Sequence, residues 1–104
     1  MKKIKIDVGV YTALEVDLTD YNFTGVDKVV LSIKNYLTLG AKIIIEREFY
    51  EAKKYEVIIT PEESKQLIKG ACYDFDKIME DGKRYKETEL GMIELVEVVG
   101  VSNE

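Results

Sequence analysis

The chain contains no histidine and no tryptophan, one proline, one cysteine and no long apolar run. Lack of histidine removes the commonest general base and the commonest zinc or copper ligand together. A lone cysteine, Cys72, allows no internal disulfide and no Cys-x-x-Cys metal frame. With no run of about 18 apolar residues there is no candidate membrane helix. In the opening MKKIKIDVGV, Lys5 and Asp7 interrupt the apolar positions, so no secretory signal is expected. A soluble protein of a reducing cytoplasm is the expectation. Scarce Pro and scattered Gly leave no linker, and 104 residues read as a single domain, 1–104, able to bury roughly 65% of its unfolded surface.

Bases number 15 against 20 acids, a net charge of -5. The bases fall in scattered groups such as Lys2, Lys3 and Lys5, Lys53 with Lys54, and Lys83 with Arg84, so no nucleic-acid-binding stripe is expected.

Period-2 alternation dominates what is present. Ile4, Ile6 and Val8 alternate with Lys3, Lys5 and Asp7, and Leu14, Val16 and Leu18 continue that strand. Residues 26–37 fit either a helical stripe or a strand; their β-branched density and short length favour a strand. AKIIIEREFY and KYEVIIT read as two strands joined by a bend at Glu51 to Lys54. In TPEESKQLIKG, Thr60 suits an N-cap, Pro61 the first helical position and Glu63 the reciprocal partner of a capping box. Gly70 suits the left-handed terminator, giving a helical segment of about two turns near residues 61–69 with Leu67 inward.

Next comes GACYDFDKIMEDGKRYKETELGMIELVEV. Tyr73 and Phe75 are expected inside and Cys72, Asp74 and Asp76 outside, with a bulge near Asp76 and Lys77 returning Ile78 to the core. Glu80 to Gly82 forms a tight turn, Tyr85 lies on the return strand, Gly91 marks a further turn, and Ile93, Leu95 and Val99 form the last strand. The expected core is Ile4, Ile6, Val16, Leu31, Ile33, Ile44, Val57, Ile59, Leu67, Tyr73, Phe75, Ile93 and Leu95.

Candidate chemistry is thin. Cys72 as a nucleophile would need a base or an electropositive setting, and its neighbours are Asp74 and Asp76. Those two acids, with Glu80 and Asp81, offer oxygen ligands for calcium but not the spacing of an EF-hand, and a solvated strand face explains them. The tyrosines, Tyr11, Tyr21, Tyr36, Tyr50, Tyr55, Tyr73 and Tyr85, would form a sugar-binding face only if grouped, and they are spread evenly. No phosphate-cradling loop is formed by Gly9, Gly25 or Gly40. No catalytic, cofactor or metal residue is assigned, and no cofactor is expected.

The stretch DLTDYNFTG and the segment from Val57 to Val99 nevertheless carry a pattern. Leu18, Thr19 and Gly25 lie in front; Thr60, Leu67, Gly70, Tyr73, Phe75, Asp76, Asp81, Gly82, Gly91, Ile93 and Leu95 follow behind. This pattern resembles bacteriophage tail and baseplate structural domains with an immunoglobulin-like fold. The resemblance implies an all-β, antiparallel immunoglobulin-like β-sandwich of about seven strands that docks other virion proteins. It also implies homo-oligomers in the assembled particle, assembly in the host cytoplasm, and no enzyme activity. Rival readings are a carbohydrate- or receptor-binding sandwich and a small hydrolase or calcium-dependent regulator. Edge strands are the expected contact, since an unpaired edge must be covered or paired.

Overall fold

The computed structural model describes residues 3–36, 40–88 and 90–97. Its elements run β1 (Lys3–Val8), β2 (Thr12–Asp17), β3 (Val26–Lys34), β4 (Ile43–Phe49), β5 (Lys54–Ile59), α1 (Pro61–Lys65), β6 (Cys72–Met79), β7 (Arg84–Lys86) and β8 (Gly91–Glu97). The all-β expectation with one short helix holds. One sheet has the order β1-β8-β6-β3-β4, with β7 pairing farther along the edge of β6 that β8 occupies; β2 and β5 form a second, two-stranded sheet. The division of second and fifth strands from third, sixth and last is compatible with an immunoglobulin-like arrangement. The β1–β8 ladder is parallel, whereas the other ladders are antiparallel, so the larger sheet is mixed. These two strands are far apart in the chain, so no hairpin dictates their relative direction.

Gly9 explains the first departure from the sequence reading. Residues 12–17 do not prolong β1. At φ 86° Gly9 adopts a left-handed conformation that other residues rarely enter, and the chain turns into the other sheet. Thr12 ties the corner: the Asp7 N–H donates to its Oγ1 at 2.8 Å. Helix α1 seats beneath it, with the Gly9 N–H donating to the fully buried Ser64 Oγ at 2.9 Å.

The capping box forms: Glu63 N–H donates to Thr60 Oγ1, and Thr60 N–H donates to Glu63 Oε1. The helix nonetheless ends at Lys65, before the expected 69, and Gly70 lies in a later turn. Asn35, 31 residues before Gln66, supplies the reason. Its Nδ2 donates to Gln66 O and its Oδ1 accepts from Ile68 N–H, replacing the bonds a further helical turn would use.

Residues 26–34 are a strand, as expected, and their register with β6 skips one residue between Val26 and Lys28. The irregularity therefore lies in β3, not at Asp76 and Lys77. Strand β6 keeps its phase, so Met79, rather than Ile78, packs against the core. The turn at Glu80 to Gly82 forms as expected, closed by Gly82 N–H to Met79 O. Gly91 opens β8 instead of forming a turn. Val99 lies outside the described residues.

One buried cluster joins both sheets: Val29, Leu31 and Ile33 from β3 meet Val57 and Ile59 from β5, with Ile6, Leu67, Tyr73 and Ile93 around them. Of the expected core, Ile4, Val16, Ile44, Phe75 and Leu95 are partly buried and pack against this cluster. On β4 the fully buried isoleucine is Ile45, not Ile44. Ile45 shares its face with Phe49 and with Arg47, a charge that stays on this face because it reaches out of the core. Arg47 Nη2 donates to Ile58 O at 3.1 Å and to Glu63 Oε1 at 2.8 Å, fastening β4 to β5 and α1.

Candidate functional site

Asp74 and Asp76 occupy the outer face of β6, as alternation requires, but they are only partly solvated. Their side chains are 17% and 16% exposed. Strand β7 returns beside them and brings a base to each: Lys86 Nζ lies 3.0 Å from Asp74 Oδ2, and Arg84 Nε lies 2.6 Å from Asp76 Oδ2. Asp81 accepts a hydrogen bond from the Lys83 N–H within the hairpin. The four acids considered for calcium are thus distributed along a hairpin. Among the described residues, no three acidic, cysteine or histidine side chains converge as a metal site.

Cys72 is buried, its Sγ donating weakly to Lys34 O and Tyr36 O. Burial first, and the negative charge of Asp74 second, push its thiol above the ordinary value. A raised pKa disfavours the nucleophilic thiolate. The most exposed tyrosines, Tyr11, Tyr36, Tyr50 and Tyr85, lie on four different segments, while Tyr73 is buried in the core.

The two flanks of the molecule differ. On the β4 and β5 side, Arg47 fastens one sheet to the other. On the opposite side β1 and β2 leave the Gly9 corner, join different sheets and open a cleft of about 620 Å³. Ile4, Leu14, Val16, Val29, Leu31 and Phe75 are among its lining residues. Tyr21 also lines it and donates from its hydroxyl to Glu87 Oε1 at 2.6 Å. Burial, then the Glu87 hydrogen bond and charge, push the Tyr21 pKa up to about 12.

Each lip of this cleft carries one sign of charge. Lys3 and Lys5 alternate with the inward Ile4 on β1; Glu15 and Asp17 alternate with Leu14 and Val16 on β2. Among the described residues no ion pair joins the lips, and β1 pairs with β8 alone, as β2 does with β5. Glu15 also stands directly opposite Glu56, a like-charge cross-strand pair.

Sequence reasoning identified the apolar and charged faces of both strands but not their shared cleft. The usable signal was Gly9, whose position between two alternating runs marks a change of sheet. In comparison with known proteins, the chain matches no family model, no curated protein and no solved structure.

Proposed function

We propose that the protein is a non-enzymatic assembly module, a phage or prophage tail or baseplate structural domain that associates with other protein chains through its open flank. The observation carrying this reading is the apolar cleft between two strand edges that pair with nothing on that side among the described residues. Apolar side chains at a cleft gain free energy when a partner removes them from water, and an open strand edge offers backbone groups for pairing. The residues of the tail-domain resemblance occupy structural places: Thr60 caps α1, Leu67 enters the core and Gly91 lies beneath Tyr73. Such roles support a packing module, whose function resides in its contact surface. No helix among the described residues is long and apolar enough to cross a membrane.

The test is quantitative mass spectrometry of phage particles purified after induction of the source bacterium. The protein should be present in a fixed ratio to tail components, with antibody labelling at the tail. Absence from particles, with the protein recovered in the particle-free fraction, overturns the reading.

A further inference from the structure

The open flank has a charge order that selects its occupant. Elsewhere several charges are paired within the chain: Lys86 meets Asp74, Arg84 meets Asp76, Lys28 meets Glu48 and Arg47 meets Glu63. At the cleft, a basic lip and an acidic lip stand apart; Asp17 faces Lys54 and Lys5 faces Glu94 in their own ladders, whereas Glu15 faces the like charge of Glu56. A cation brought beside Glu15 relieves that repulsion. The same flank of a second molecule offers such cations, Lys3 and Lys5, beside apolar residues.

We propose that the cleft is closed by a second copy of this chain, related by a two-fold axis, with Lys3 and Lys5 of each copy against Glu15 and Asp17 of the other. A two-fold interface places each patch against its complement twice, so β1 meets the partner's β2 lip and β2 meets the partner's β1 lip. The half-buried floor, including Ile4, Leu14, Val16 and Phe75, then becomes the apolar centre, and the charged lips become the rim. The complementary rim sets the orientation and opposes a parallel, like-on-like alignment. The far flank lacks this opportunity because Arg47 already spans it. The inference rests on the reading of this flank as a protein-docking surface and names its partner.

Sedimentation velocity of the full chain, from micromolar to near-millimolar concentration, tests it. Wild type should reach the mass of two chains. The Lys3→Glu, Lys5→Glu variant makes both lips acidic. The Glu15→Lys, Asp17→Asn variant makes both basic or neutral, and the Asp17→Asn change keeps a side-chain oxygen to accept from the Thr19 amide. Each variant alone should raise the dimer dissociation constant by about tenfold or more. An equimolar mixture should recover a one-to-one dimer, since every acidic lip then meets a basic one. Circular-dichroism melts establish that each variant is folded.

A wild type that stays monomeric throughout overturns the proposal. So does a wild-type dimer untouched by either variant, or a mixture that fails to recover it. A monomer that is nevertheless present in phage particles removes the two-fold interface and keeps the assembly module; a dimer absent from particles does the reverse.

Discussion

Gly91 and Tyr73 stand opposite each other where β8 meets β6. The Tyr73 ring covers Gly91 so closely that a β-carbon there would overlap it. A strand glycine normally weakens a sheet, and a ring laid over it replaces the missing packing. Gly91→Ala should therefore cost about 2 kcal/mol or more, and appreciably less in a Tyr73→Leu background, because the clash is with the ring itself. Urea midpoints of the four proteins in that cycle measure the coupling; additive losses would refute it. Phe75 points into the cleft and is only partly buried, so Phe75→Ala should cost about 2 kcal/mol, below the roughly 3 to 5 of a fully enclosed ring. A larger loss in urea titration would mean that the cleft is closed over it.

Among the elements, α1 is held by its own start and by three distant residues, Gly9, Asn35 and Arg47. Thr60→Ala removes the acceptor for the Glu63 amide and should destabilise by about 1 kcal/mol in chemical denaturation. Burial alone would raise the Glu63 pKa, but its bonds to the Thr60 amide and Arg47 outweigh that and hold it below the ordinary 4.5. A carboxylate depressed on folding stabilises the native state above its unfolded pKa and loses that contribution as pH falls through its folded pKa. Wild type should accordingly lose its stability advantage over Glu63→Gln as pH falls below about 4.5, seen by urea midpoints at neutral and acidic pH. An advantage unchanged down the acid range would contradict this. The start of α1 was legible because a capping box lies within four residues. Its end was not, because Asn35 reaches it from another part of the chain.

At the scale of the molecule, one cluster contains side chains from both sheets, and Arg47 and the Asp7–Thr12 corner tie the sheets at separate places. Far-ultraviolet circular dichroism and tyrosine fluorescence should report the same urea transition, as a single cooperative unit requires. Separate transitions for the two-stranded ribbon and the larger sheet would show that the shared core does not couple them. The partition of charge belongs to this scale too. Neighbours in sequence left Asp74 and Asp76 looking solvated, and only the return of β7 beside β6 brought Arg84 and Lys86 to them. The cleft likewise needs β1 and β2 to diverge after one shared corner.

The amino-acid order by itself determined where strands alternate, which of their faces are apolar, where α1 begins and where the Glu80 to Gly82 hairpin turns. Those properties arise from backbone sterics, side-chain period and hydrogen bonds reaching a few residues, all encoded locally. Tertiary structure alone decided that β1 runs parallel to β8, that Asn35 stops α1, that Arg47 closes one flank and that the other stays open. Each depends on groups distant in the chain meeting in space, where burial and hydrogen bonding select among partners that a linear pattern leaves equivalent.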